Sequence, residues 1–216
     1  MKSFLVIGVG KFGNHLVTNL CKYNNIELMI IDLDEEKIDA LLPLVSNAKI
    51  GDCTNPDVLK NLGVANFDKC FVCIGENFQN SLEITSMVKE MGAREVISLA
   101  SRDVHRKFLL KNGADYVIYP DYDMAERIAR KYSKSKILDF MAIDSEYGIY
   151  EITPFDEIIG KTIREVNFRK KYKSNVIGYK RDGKTHMMLD AEYVFSENEP
   201  LLIVGKINNL DRLISD

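Results

Sequence analysis

At 216 residues the chain is long enough for one large domain or two smaller ones. Its 46% hydrophobic content suits a protein that buries a core and excludes a disordered chain. Twenty-nine basic against 32 acidic residues leave a net charge of −3, which argues against nucleic-acid binding through overall charge, and no apolar run approaches the ~18–20 residues that cross a bilayer.

Met1-Lys2-Ser3 leads directly into a strand-like segment, so no signal peptide is expected. The first 120 or so residues alternate in a βαβ rhythm. Ser3 to Gly8 reads as a strand, Lys11 to Lys22 as a helix with Phe12, Leu16, Val17 and Leu20 on one face, and Glu27 to Ile31 as a second strand. Glu35 to Leu42 is a second helix and Ala48 to Ile50 a third strand. Asn55 is a good N-cap with Pro56 at the first helical position, and Gly63 suits the left-handed end of that helix. Cys70 to Ile74, Ser81 to Met91, Glu95 to Leu99, Val104 to Asn112 and Tyr116 to Tyr119 continue the alternation. Such a pattern implies a Rossmann-like, doubly wound parallel sheet covered on both faces.

Asp123 to Ile137 reads as a basic helix, followed by strand-like pieces at Gly148 to Thr153, Val176 to Lys180 and Leu201 to Val204. The expected organisation is α/β: a nucleotide-binding domain over 1–135 and a small α+β domain over 136–216. The four cysteines are expected to be reduced. Cys70 and Cys73 have CxxC spacing, but they lie in a strand, where residues three apart face opposite sides. Redox pairs cap a helix start instead, so both are read as core residues. The three histidines are far apart and offer no metal constellation.

The sharpest motif is Gly8-Val-Gly10-Lys-Phe-Gly13, after the first strand and opening the first helix. Gly8 permits the tight turn, Gly10 the close approach of phosphate, and Gly13 close helix–sheet packing. Exposed N–H groups at the helix start face the anion. Asp32 ends the second strand about 20 residues on, where a carboxylate accepts from ribose hydroxyls and disfavours a 2′-phosphate. Together these point to an adenine nucleotide or dinucleotide. Gly51-Asp52-Cys53-Thr54 and Gly75-Glu76-Asn77-Phe78-Gln79-Asn80 end strands on the same sheet edge and are expected to line the cleft. Asn77 and Gln79 suit helix capping or ligand contact, and the two roles can coexist.

No catalytic set emerges. Tyr132 and Lys136 have a Tyr-x-x-x-Lys spacing but lie on the basic connecting helix, and His15 and His105 are isolated. An NAD-dependent oxidoreductase is the alternative reading, and it requires an acid/base set. A DNA-binding repressor would require a helix-turn-helix segment.

GVGKFG, IIDLDEEK, GDCTNPDVLKNLG, VCIGENFQNS and GADYVIYPDYDMAERIA occur in the order found in RCK domains. Over nearly its whole length the chain resembles the KtrA/TrkA family of potassium-uptake regulatory subunits, and in length KtrA. The resemblance implies a non-enzymatic, cytoplasmic gating ring, peripheral on the inner membrane face. Homodimers would assemble into an octamer beneath a membrane potassium transporter of the KtrB/TrkH type, with no nucleic-acid partner and no metal site. It implies ATP/ADP in the cleft, with NAD(H) second, held by Gly8, Gly10, Lys11, Phe12, Gly13, Asp32, Asp34, Asp52, Cys53, Gly75, Asn77 and Asp121. KtrA-like members usually carry arginine at the Lys11 position, so the planar fork is replaced by a point charge. Lys161 to Lys184 holds nine basic residues against Glu165 and Asp182. That stretch reads as a solvated face. The resemblance also allows a cyclic di-AMP site there, at Ile158, Ile159, Arg169, Asn175 and His186.

Overall fold

The structure is a computed structural model that describes residues 1–213. Its contacts divide the chain into two units, the first Met1–Tyr122 and the second beginning at Asp123. The division falls inside a helix, earlier than the boundary at 135 read from sequence.

The amino-terminal unit alternates strands and helices throughout: β1 (Lys2–Ile7), α1 (Lys11–Leu20), β2 (Ile26–Asp32), α2 (Glu35–Asp39), β3 (Asn47–Ile50), α3 (Pro56–Leu62), β4 (Lys69–Val72), α4 (Phe78–Glu90), β5 (Val96–Leu99), α5 (Asp103–Lys111) and β6 (Tyr116–Ile118). The strands form one parallel sheet in the order β3-β2-β1-β4-β5-β6. The order reverses between β1 and β4, and ligands of open α/β sheets enter at such a switch point. Side-chain alternation on β1 sends Phe4 and Val6 into one core with Val17 of α1 and Ile38 of α2. Leu5 and Ile7 go into the other, with Leu59 of α3 and Ile84 of α4. Buried on both faces, β1 therefore reads as a continuous apolar run. Asn55 caps α3 by accepting from the Asp57 N–H, and Gly63 ends it at φ 65°.

Helix α6 (Pro120–Ser133) crosses the division. It starts and stops earlier than the sequence reading placed it. The second unit continues with β7 (Ile137–Ala142), β8 (Tyr147–Ile152), α7 (Ile163–Val166), α8 (Phe168–Tyr172), β9 (Ser174–Arg181), β10 (Lys184–Met187), β11 (Leu201–Lys206) and α9 (Ile207–Leu213). Its antiparallel sheet runs β10-β9-β11-β8-β7. Tyr150 and Ile152 of β8 and Leu201 and Ile203 of β11 point into a core with Ile158, Phe168 and Phe195.

Glu199 is a buried carboxylate in this unit. It accepts from Arg181 Nε at 2.5 Å and from the Tyr193 hydroxyl at 2.6 Å. The Arg181 guanidinium, seconded by Tyr193, holds this carboxyl below the ordinary glutamate range against the opposing effect of burial. Its stabilising contribution is complete above the unfolded value of about 4.5 and is lost as pH falls through the lower native value. Glu199→Gln keeps the shape and loses the charge. It is expected to cost about 1–3 kcal/mol at neutral pH, and urea melts at descending pH should show wild type converging on the variant. A constant gap down to acid pH would refute the assignment.

Candidate functional site

Everything that turns the chain sharply at the carboxyl end of β1 comes from glycine chemistry. Gly8 sits at φ +88°, and its N–H donates to the Ile31 carbonyl at 2.8 Å. The next amide, Val9 N–H, donates to Asp32 Oδ2 at 2.7 Å, and the Asp34 N–H donates to Asp32 Oδ1 at 3.0 Å. One carboxylate thus ties the glycine turn to the start of α2. A Cβ on Gly13 would stand 2.1 Å from the Gly8 carbonyl oxygen, so α1 is held against the turn at a distance only glycine allows. A Cβ on Gly10 would meet no protein atom and would stand in open space. Gly10 is the N-cap of α1 and supplies no side-chain partner, so the helix's first N–H groups have no side-chain cap.

These features open into a cleft of about 940 Å3 at the carboxyl ends of the strands. Gly8, Gly10, Lys11, Phe12, Asp32, Asp52, Cys53, Gly75, Asn77 and Asp121 all line it. Two residues named from sequence do not. Gly13 is packed beneath the turn, and Asp34 caps α2, accepting from the Glu36 N–H and pairing with Lys37 at 3.1 Å. Asn77 both caps α4, accepting from the Asn80 N–H at 3.0 Å, and lines the cleft. Gln79 turns instead to Glu83, 2.8 Å away. Asp121 is not the cap of α6, because the helix already starts at Pro120. It stands in the first turn, where the helix dipole favours a carboxylate.

The walls combine apolar and charged surface. Ile7, Ile31, Ile74 and Leu99 supply apolar area, and Lys11, Lys37, Asp32, Asp52, Glu76 and Asp121 supply charge of both signs. The Thr54 hydroxyl and amide both donate to Asp52 and hold its carboxyl below the usual range. The Asp34 carboxylate, with Asp32 and Glu76 further off, raises Lys37 above the ordinary lysine value. Burial, with a smaller push from Asp52, drives the Cys53 thiol up to about 12, so it presents a neutral S–H to the cleft. Glu76 and Asn80 line the cleft as their loop after β4 predicts, whereas sequence reasoning missed Lys37 and Ser101. Ser101 stands two residues after β5 and Lys37 in the first turn of the helix after β2, which is the signal that could have found them. Apolar walls, open helix N–H groups and a carboxylate at the carboxyl end of β2 together suit a nucleotide. The Tyr132/Lys136 spacing makes no catalytic pair, since α6 ends at Ser133 and Tyr132 is 77% exposed.

The basic stretch of the second unit resolves into two parts. Arg164, Lys171, Lys180 and Arg181 are paired with Glu192, Glu157, Glu151 and Glu199. Arg169, Lys170 and Lys173 converge with Asn167 and Asn175 on a second cavity of about 520 Å3. Of the five positions named from sequence, Arg169 and Asn175 line it. Ile158 is a correction: it is fully buried in the core and presents no surface. Ile159 lies beside it off the cavity lining, and His186 is on β10, stacked on Tyr179 at 4.8 Å.

Comparison with known proteins matches the TrkA-N domain to residues 4–120 and the TrkA-C domain to residues 149–215. The chain belongs to the KtrA/TrkA family. It is 36% identical to Ktr system potassium uptake protein C of Bacillus subtilis and 31% identical to Ktr system potassium uptake protein A of the same organism. Both alignments cover 98% of this chain and 95% of the relative. Among solved structures, the GsuK channel bound to NAD aligns over 100% of the chain with a TM-score of 0.67 at 20% identity. That likeness bears on the fold alone, and this KtrA/TrkA member spans only 40% of that longer chain. No helix among the described residues is long and apolar enough to cross a membrane.

Proposed function

We propose that this chain is a cytoplasmic regulatory subunit of a potassium uptake system, binding an adenine nucleotide in the amino-terminal cleft and controlling a separate membrane-embedded translocating subunit. The observation that carries the nucleotide is the Asp32 carboxylate, which ties the glycine turn while lining the cleft beside the uncapped start of α1. The potassium system is supported by the relatives that cover nearly the whole chain. The working form is a ring of homodimers, an octamer, lying against the membrane through its partner.

In this reading the base packs on the apolar walls, Asp32 accepts from the ribose, and the phosphates face Gly10 and the first amides of α1. A ligand shifts a two-state ring only by its differential affinity for the two shapes. ATP and ADP differ at the γ-phosphate, and Lys11 with the α1 amino terminus is the group that reads it. ATP then stabilises the transport-permitting ring. NAD(H) is the second choice of ligand, its two phosphates needing the same amides.

The test is thermal unfolding at fixed protein concentration with ATP, ADP and NADH. A ligand at a hundred times its Kd stabilises by about 2.7 kcal/mol, so at least one should raise the midpoint by several degrees. No shift with any of them rejects the nucleotide, and equal potassium flux with ATP and ADP through the reconstituted complex rejects its gating role. A second anion, cyclic di-AMP, is supported by the convergence of Arg169, Lys170 and Lys173 on one cavity. Calorimetric heat with wild type that is absent in Arg169→Ala would bear this out; no heat with wild type rejects it.

A further inference from the structure

Behind the nucleotide cleft lies a fully buried histidine, His105 of α5. Its imidazole joins two parts of the cleft wall. The backbone N–H of Ser101, a residue that lines the cleft, donates to Nδ1 at 3.4 Å. On the other edge of the ring, Nε2 lies 3.1 Å from the Ser81 hydroxyl of α4, the helix whose first turn supplies Asn77 and Asn80 to the cleft. A backbone amide can only donate, so Nδ1 accepts from it, with the Ser101 hydroxyl 3.5 Å away able to donate there as well, and the ring proton then sits on Nε2, donating to Ser81. Phe78 of α4 covers the ring at 5.0 Å, and Arg102 lies 5.0 Å over the Phe78 ring.

We propose that His105 is a positioning residue of the nucleotide cleft: as a neutral Nε2–H imidazole it ties the Ser101 loop to α4, and its protonation releases that loop and weakens nucleotide binding. A second proton goes on Nδ1 and sets an N–H against the Ser101 N–H, leaving only the Ser101 hydroxyl, 3.5 Å away, to accept it, a weaker hold on the loop than the neutral ring provides. α4 presents Phe78 and Ser81 to the ring, neither of them charged, and the β5–α5 loop presents Ser101. The charge that bears on it is Arg102. Burial first, and Arg102 second, hold the imidazolium form unfavourable, so release comes below the ordinary histidine range. Affinity therefore stays level through neutral pH and falls on acidification.

The inference rests on the nucleotide reading above, and its test separates the two. NAD is the probe, because its phosphodiesters keep the same charge between about pH 7.5 and about pH 5. All proteins carry His15→Gln, which removes the other histidine of the cleft. Calorimetry should show NAD affinity falling about fivefold across that range, equivalent to one hydrogen bond. His105→Asn keeps an acceptor for the Ser101 N–H without titrating and should bind equally at both pH values. His105→Leu should bind weakly at both. Hydrogen exchange of the Ser101 amide, measured without ligand and corrected for intrinsic rate, should follow the same pattern. A flat wild type, or an Asn variant as pH-sensitive as wild type, overturns the proposal. If NAD fails to bind at about pH 7.5, the choice of ligand falls, and the Ser101 exchange still decides the role of His105.

Discussion

Gly13→Ala should destabilise the amino-terminal unit by about 3 kcal/mol and abolish nucleotide binding. The direction opposes the usual rule. Alanine inside a helix is ordinarily better than glycine by about 1 kcal/mol, because it restricts the unfolded chain and exposes less backbone. Here the added methyl would stand 2.1 Å from the Gly8 carbonyl oxygen and 3.1 Å from its carbon. Neither is the yielding end of a flexible side chain. Relief requires α1 to move off the sheet or Gly8 to leave its φ of +88°. Either movement also displaces the amides that face the cleft. Urea unfolding followed by far-UV circular dichroism measures the cost. A variant as stable as wild type would mean that the α1–β1 contact yields by more than an ångström, and the account of the turn would be wrong.

Asp32→Ala is expected to lower nucleotide affinity by roughly 10- to 100-fold, the range for losing hydrogen bonds to a charged group. Two effects add. In the proposed binding mode the acceptor for the ribose is gone, and the Val9 and Asp34 amides lose their acceptor. Asp32→Asn should be nearly as harmful. Its amide nitrogen is a donor, so it can satisfy one of the two N–H groups only by opposing the other. Titration calorimetry with ADP on the three proteins is decisive: binding by Asp32→Ala within twofold of wild type would remove Asp32 from the site.

Much of the amino-terminal unit was legible because its cues are local. Asn55-Pro56 with Gly63 bracketed α3 to the residue, and the glycine spacing located the turn after β1. The second unit was harder for a physical reason visible at β7. Ile137 and Phe140 are three apart, which on a straight strand sends them to opposite faces, so the spacing reads as helix. A register shift between Ile137 and Asp139 brings both inward. A bulge of this kind has no single-residue signature, so nothing in the sequence marks Ile137 as the start of a strand rather than the end of a helix. Helices α7 and α8 were missed for a related reason: Asn167 and Lys173 turn the chain at φ 49° and 54°, without glycine. At the candidate site, Asp34 is a ligand position only through the family resemblance, whereas its capping of α2 is fixed by an amide two residues on. Ile158 is a ligand position only through the family resemblance, and the packing of Phe168 and Phe195 in the same core shows that it faces inward.

The cysteines have a practical consequence. All four lie in the amino-terminal unit, and burial pushes Cys53, Cys70 and Cys73 up to about 12. At neutral pH Cys70, which alone of the three does not line the cleft, stays unreactive until the segment around it opens, so its alkylation is the one to follow. Alkylation over time, read by mass, is therefore a clock for the transient opening of the Rossmann half alone, in the unaltered protein, and a bound nucleotide would be seen to slow it.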